Sequence, residues 1–135
     1  QPRSRGLGDV YKRQQQASDL AIHALGLVGT PYRYGGNTPE GGFDCSGLIN
    51  YVYRSRAGVA PPRTVSQLSA FGGAIDTGEL RTGDLVLFGR GTPWHAGIYV
   101  GQGRFVHAPS TGGTVRLDRL DSTYWARQAT QYRRP

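Results

Sequence analysis

The chain of 135 residues contains a single cysteine, Cys45. One cysteine excludes an internal disulfide and a cysteine-rich zinc site. The sequence also lacks an apolar run of about 18 residues, the length that a bilayer-spanning helix requires. Charged residues make up only 19% of the chain, which is too few for a disordered polyampholyte. The sequence therefore predicts a folded domain without a transmembrane segment.

The formal net charge is +7, of which residues 1–16 contribute +3 and the remainder +4. A mild basic excess suits an anionic partner, such as a polymer of the cell envelope or a nucleic acid. The arginines are scattered along the chain, and no aromatic–basic RNA-binding motif is present. We therefore expect no nucleic-acid partner.

Residues 1–16 mix Gly, Arg and Gln without a sustained period, which predicts a disordered or non-native tail. No apolar segment follows their arginines, so they do not form a signal peptide. If the protein is exported, its signal was removed or lies outside this fragment. Residues 17–135 are predicted to form one domain, which is large enough to bury a core.

The pattern of the domain changes near residue 84. Apolar spacing before that point predicts helices over residues 17–28, from Cys45 to Arg56, and over residues 65–71 with Thr64 as N-cap. Short apolar segments after it predict strands over residues 84–88, 95–101, 104–108, 115–117 and 125–132. Helices followed by a strand meander indicate an α+β fold with an antiparallel sheet of about five strands.

Cys45 lies where a Gly-rich loop turns into the second predicted helix. Free backbone N–H groups and the helix dipole at such a position favour a thiolate and lower the thiol pKa. His95 and His107 lie in strand-like segments downstream. This combination is typical of a cysteine nucleophile with a histidine base, although free cysteine is also a common core residue.

The short turn around Gln102 predicts that His95 and His107 lie on paired strands. Counting from the turn places His95 near residue 109, and a slip of one residue brings it close to His107. His107 is then either a core histidine or the group that fixes the tautomer of His95. His23 lies in the first helix, and we expect no catalytic role for it.

Six segments together resemble the NlpC-type cell-wall peptidase family, a papain-like group of cysteine peptidases. The similarity covers about residues 17–133, and the Asp-Cys-Ser-Gly and His-Ala-Gly-Ile-Tyr segments carry most of its specificity. The matching segments are Pro31–Gly36, Phe43–Leu48, Pro62–Thr64, Gly83–Phe88, His95–Gly101 and Phe105–Ala108.

The resemblance implies a papain-like fold, with the N-terminal helices packed on the sheet. It also implies Cys45 as nucleophile, His95 as base and His107 as the third polar residue. Members of the family typically cut peptidoglycan stem peptides, often between γ-D-glutamate and the diamino acid. The implied enzyme is a thiol protease that uses no cofactor or metal. We expect it to act as a monomer after export, in the periplasm or cell envelope.

Four further residues are candidates for substrate or oxyanion binding. By the family pattern Tyr32 points its hydroxyl toward the cysteine, where it can donate to an oxyanion, or it simply packs in its loop. Asp44 and Ser46 are good helix caps, and Asp44 can also hold the amine of a stem peptide. Arg63 can meet a substrate carboxylate.

Three other functions are alternatives to the peptidase. An amidase or acyltransferase can use the same scaffold, because a fold does not determine a substrate. A non-catalytic wall-binding module has no need for Cys45, His95 and His107 together. A zinc site built from these three residues lacks a fourth ligand.

Overall fold

The computed structural model describes the backbone of residues 2–135 and the side chains of residue 8 and residues 10–135. The α-helices are α1 Pro2–Gly26, α2 Cys45–Ala57, α3 Val65–Leu68 and α4 Thr123–Ala126, and a 3₁₀-helix spans Thr77–Glu79. The strands are β1 Asn37–Thr38, β2 Gly42–Phe43, β3 Gly73–Ile75, β4 Leu85–Phe88, β5 His95–Gly101, β6 Arg104–His107, β7 Arg116–Arg119 and β8 Thr130–Arg134. None of the described helices has the length and apolar character needed to cross a membrane.

The main sheet has six strands in the order β3-β8-β4-β5-β6-β7, and every neighbouring pair is antiparallel. One apolar cluster joins α1 and α2 to the sheet through residues such as Leu48, Val52 and Ile98. A second cluster, formed by Val86, Phe88 and Phe105 with partly buried aromatics around them, includes Trp125. The predicted α+β architecture, with helices packed on an antiparallel sheet, is confirmed.

Helix α2 is defined by its caps. The Asp44 carboxylate accepts a hydrogen bond from the Gly47 N–H at 2.7 Å, which satisfies a donor that the helix itself leaves free. Gly58 ends the helix in the left-handed conformation, with φ of 66°. The buried face of α2 includes Leu48 and Ile49, so packing against the sheet fixes the position of its first turn, where Cys45 lies.

Several elements differ from the predictions, among them the first helix and two strands. Helix α1 begins at Pro2 rather than at residue 17, and the side chains of residues 10–16 are exposed. The separation of residues 1–16 from the native domain stays a prediction. Strand β3 was not predicted, because its three residues, Gly-Ala-Ile, carry no alternating pattern. Trp125 belongs to α4, and the last strand begins at Thr130, so the predicted strand over residues 125–132 was placed too early.

Candidate active site

The loop before Cys45 is held tightly to the start of α2. The Asp44 carboxylate accepts hydrogen bonds from Gly47 N–H at 2.7 Å and from Gly35 N–H at 2.9 Å. A Cβ atom on Gly47 would collide with the carbonyl oxygen of Gly36, so only glycine permits this close approach. The Asp-Cys-Ser-Gly segment therefore fixes the cysteine at the junction of loop and helix.

The Cys45 thiol lies against the beginning of β5. Backbone N–H groups of Ala96, Ser46 and Cys45 itself form hydrogen bonds that favour the thiolate. Burial, and then the negative charge of Asp44, outweigh these bonds and raise the pKa of the Cys45 thiol. The lowered pKa predicted from the helix start is therefore wrong, because the loss of water around the sulfur exceeds the stabilisation that the helix terminus supplies.

The rings of His95 and His107 are hydrogen-bonded to each other. His95 Nε2 lies 2.7 Å from His107 Nδ1, and both side chains are buried. The sheet pairs Ile98 with Val106, and continuing this register places Pro109 opposite His95. His107 is then a diagonal neighbour on the same face of the sheet. The predicted contact is confirmed. The register of β5 and β6 shifts between Tyr99 and Gly101, and the contact leaves Nδ1 of His95 for the thiol.

Aromatic side chains enclose the His95 ring. Trp125 stacks on His95 with ring centroids 5.3 Å apart and an interplanar angle of 24°, and Phe88 and Trp94 stack against it at 5.9 and 5.6 Å. Burial, and then the charge of His107, lower the pKa of His95 to about 3. The imidazole is therefore neutral at physiological pH and able to accept a proton.

Asp118 extends the pair of histidines by one residue. Its carboxylate oxygen Oδ2 lies 2.6 Å from His107 Nε2 and 2.8 Å from Arg116 Nε. Burial lowers the pKa of His107, while the hydrogen bond and charge of Asp118 act in the opposite direction. Asp118 was not predicted, because the strand expected over residues 115–117 ended before it, whereas β7 runs to Arg119. Arg116 and Asp118 are two residues apart, a spacing that places both side chains on the same face of a strand. A strand predicted to run through residue 119 would have shown this.

Tyr32 lies beside the thiol and is partly exposed. Burial is the largest cause of a raised pKa of its phenol, and the charges of Asp44 and Cys45 raise that pKa further. Its hydroxyl therefore stays protonated and remains a hydrogen-bond donor near the sulfur. The oxyanion role of Tyr32 stays a prediction.

Asp44, Ser46 and Arg63 form one polar cluster at the start of α2. Arg63 donates to Ser46 Oγ at 2.9 Å and to Asp44 Oδ1 at 3.3 Å. Ser46 in turn donates to the Arg63 carbonyl at 2.6 Å. The structure thus brings together three residues that the sequence suggested separately, and the capping interpretation of Asp44 is confirmed. Their contacts with substrate stay predictions.

Within the described side chains, no group of three or more His, Cys, Asp or Glu residues is arranged to hold a metal ion. His23 packs against Tyr51 with ring centroids 5.4 Å apart. The catalytic roles of Cys45, His95 and His107 stay predictions. So does the approach of the Cys45 sulfur to a ring nitrogen of His95.

Comparison with known proteins identifies one family over most of the chain. The family model described as "NlpC/P60 family" matches residues 29–134. A solved structure of an NlpC/P60 family protein from Bacillus cereus ATCC 10987 superposes with a TM-score of 0.80 at 32% identity. The superposition covers 87% of this chain and 39% of that one.

Two curated proteins illustrate the functions named among its relatives. The murein DD-endopeptidase MepH of Escherichia coli K12 is 41% identical over 135 aligned positions, covering 95% of this chain and 50% of that protein. The gamma-DL-glutamyl hydrolase of Bacillus subtilis 168 is 40% identical over 110 positions, covering 79% of this chain and 26% of that protein. The chain thus spans half or less of the length of these two relatives.

Proposed function

The chain belongs to the NlpC/P60 family, and we propose that it is a cysteine peptidase that hydrolyses peptidoglycan stem peptides through an acyl-enzyme on Cys45. The observation that carries this proposal is the juxtaposition of the thiol with the His95–His107 pair. The sulfur accepts a hydrogen bond from the N–H of Ala96, the residue that follows His95. The His95 ring, in turn, is hydrogen-bonded through Nε2 to His107 at 2.7 Å.

The pKa directions support a resting state in which both groups are neutral. Burial raises the pKa of the Cys45 thiol and lowers that of His95 to about 3. His95 therefore acts as a general base, taking the thiol proton on Nδ1 as the sulfur attacks the amide carbonyl. The thiolate and the protonated imidazole therefore form only while the sulfur attacks.

The tetrahedral intermediate carries a negative oxygen that needs hydrogen-bond donors. We assign this role to the Tyr32 hydroxyl and the backbone N–H of Cys45. Collapse of the intermediate breaks the C–N bond, and the protonated His95 gives its proton to the leaving amine. A water molecule, deprotonated by His95, then hydrolyses the thioester and restores the thiol.

The bond we propose is that between γ-D-glutamate and the diamino acid. The family resemblance and the name of the gamma-DL-glutamyl hydrolase support this choice. The name of the relative MepH favours a second candidate, the D,D bond of a peptide cross-link. The excess of basic residues in the domain suits an anionic wall polymer. We place the enzyme in the cell envelope, as a monomer.

We propose that the cluster of Asp44, Ser46 and Arg63 at the start of α2 binds the part of the stem peptide that lies N-terminal to the bond that is cut. Arg63 has a half-exposed guanidinium beside the partly buried Asp44 carboxylate. The guanidinium can meet a carboxylate of the stem peptide, and Asp44 can accept from its amine. Because Asp44 also caps α2, binding of substrate and positioning of Cys45 depend on the same side chain.

The test uses two purified substrates, a single disaccharide stem peptide and a dimer of stem peptides joined by a D,D cross-link. Products are identified by mass spectrometry, with Cys45→Ala as the inactive control and circular dichroism as the check that it folds. The proposal is supported if the wild-type protein cleaves the single stem peptide between glutamate and the diamino acid and Cys45→Ala does not.

Two results would replace the proposal. Conversion of the dimer to monomers, with the single stem peptide left whole, would assign the D,D bond instead. Turnover of small amides or acyl donors, with neither peptidoglycan substrate cleaved, would favour the amidase or acyltransferase function.

A further inference from the structure

A chain of hydrogen bonds crosses three neighbouring strands of the sheet. It runs from His95 on β5 to His107 on β6 and from there to Asp118 on β7, with separations of 2.7 and 2.6 Å. The register pairs His107 with Arg116 and Phe105 with Asp118. His107 and Asp118 are therefore diagonal neighbours, as are His95 and His107. All three side chains lie on one face of the sheet.

The chemistry of these groups determines where the protons lie. An ionised carboxylate only accepts hydrogen bonds, so Nε2 of His107 must donate to Asp118. In a neutral ring the other nitrogen is then an acceptor, so His107 Nδ1 accepts a hydrogen bond from the Nε2–H of His95. His95 consequently has its unprotonated nitrogen at Nδ1.

We propose that Asp118 is a positioning residue that selects, through His107, the tautomer of His95 in which Nδ1 is free to accept the Cys45 proton. The inference rests on the proposed function, because it concerns the base that the cysteine peptidase uses. Without an acceptor at Asp118, His107 can carry its proton on Nδ1 and present a donor to His95. His95 then holds its own proton on Nδ1, the wrong nitrogen for attack by the thiol.

Arg116 keeps the carboxylate in the required orientation. Its Nε donates to Asp118 Oδ2 at 2.8 Å and its terminal nitrogen donates to Oδ1 at 3.0 Å. The Asp118 side chain is only 18% exposed, so the pair is partly shielded from water. Oδ2 thus receives two donors, one from Arg116 and one from His107, and it functions as a fixed acceptor.

Substitutions of Asp118 separate this role from a purely structural one. In Asp118→Asn the amide oxygen can take the place of Oδ2 and preserve the acceptor for His107, while the bond from the Arg116 terminal nitrogen to Oδ1 is lost. Asp118→Ala removes the acceptor. The matched control is Asp121→Ala, since Asp121 is an exposed aspartate that also pairs with an arginine, Arg119, at 2.8 Å.

Two readouts are used on the full chain. Two-bond ¹H–¹⁵N spectra of histidine-labelled protein show which ring nitrogen carries each proton. In the wild type, Asp118→Asn and Asp121→Ala we expect Nε2–H on both His95 and His107, and in Asp118→Ala a substantial population of Nδ1–H forms. Rates of Cys45 alkylation and kcat on a stem peptide should fall about tenfold or more in Asp118→Ala, with KM unchanged.

The spectra and the alkylation rates do not require a peptidoglycan substrate, so they judge this inference even if the proposed function fails. Nδ1–H on His95 in the wild type would overturn it. So would a slow Asp118→Ala variant in which both rings keep Nε2–H, because the loss would then be structural. If Asp118→Ala does not fold, Asp118→Asn decides the question. Loss of Nε2–H from His95 or His107 in that variant would contradict the inference, because the acceptor is still present. Retention of Nε2–H on both rings would support it.

Discussion

Gly97 lies opposite His107 in the sheet, and its missing side chain provides the space that the histidine occupies. A Cβ atom at residue 97 would lie 3.1 Å from the Cβ of His107, 2.8 Å from a ring carbon of Phe105 and 2.9 Å from the carbonyl oxygen of Val106. Gly97 therefore makes room for the neighbouring strand.

Gly97→Ala should therefore displace His107 and weaken its bond to His95. We expect a loss of about 1–3 kcal/mol in the free energy of unfolding, the usual cost of overpacking, and a lower kcat on stem peptides. Gly73→Ala is the control, since a Cβ atom there meets nothing within 4 Å. Urea denaturation and steady-state kinetics measure the two effects. Equal behaviour of the two variants would show that residue 97 tolerates a side chain.

Trp125 is predicted to maintain the low pKa of His95. Its ring stacks on His95 and meets the edge of His107 at 5.0 Å. Trp125→Ala admits water to the His95 ring, so the pKa should rise from about 3 toward its ordinary value. Because Trp125 is only half-buried, the loss of stability should stay below the about 3–5 kcal/mol of a fully buried tryptophan.

Histidine titration by NMR measures this change. The control is Tyr124→Ala, which removes the exposed aromatic side chain next to Trp125 and should leave the His95 titration unchanged. A His95 pKa that is the same in Trp125→Ala and in the wild type would mean that other groups exclude the water.

Asp44→Asn is predicted to lower the pKa of the Cys45 thiol, because the charge of Asp44 is one of the causes that raise it. The amide oxygen can still accept from Gly47 and cap α2, while the bond to Gly35 is lost at a cost of about 1 kcal/mol. The rate of alkylation by iodoacetamide against pH reports the thiol directly, since Cys45 is the only cysteine. The midpoint should move to lower pH, with Asp121→Asn unchanged; an upward movement contradicts the assignment.

The buried, neutral His95 makes stability depend on pH. Its pKa is about 3 in the folded protein and has the ordinary value of 6.5 when unfolded. Between about pH 3 and pH 6.5 the unfolded chain therefore binds more protons than the folded protein does. The contribution of His95 to the free energy of unfolding is complete above pH 6.5 and is lost as the pH falls toward 3. The slope is about 1.4 kcal/mol per pH unit, so the free energy of unfolding should fall by about 2 kcal/mol between pH 6.5 and 5.

His95→Gln removes this titration and should reduce the dependence over the same interval. Urea denaturation at several pH values gives the comparison, and the slope that remains in His95→Gln belongs to other groups such as His107 and His23, whose pKa values are also lowered by burial. Parallel curves for His95→Gln and the wild type would show that His95 is not held neutral by burial.

The sequence predicted the parts of the site that depend on local chemistry. Asp44, Cys45 and Gly47 are adjacent in the chain, so capping and the position of the thiol at a helix start followed from residue type. The contact between His95 and His107 required only one short turn. Both predictions are confirmed by the structure.

The remaining features depend on packing between distant segments. Asp118 reaches His107 only through the register of β6 with β7, and Trp125 reaches both histidines only because α4 folds back on the sheet. The direction of the Cys45 pKa follows from the depth of burial around the sulfur, which a helix-start motif does not determine. These relationships arise from tertiary structure, and no local pattern encodes them.

The covalent intermediate on Cys45 is the most direct test of the account. The wild-type protein is mixed with the stem peptide, quenched in acid during turnover, and digested for mass spectrometry of the fragment that contains Cys45. We predict that this fragment gains the mass of the acyl portion of the substrate, and that Cys45→Ala shows neither the adduct nor product. Product formation by Cys45→Ala, or an adduct on any other residue, would contradict the assignment of Cys45 as the nucleophile.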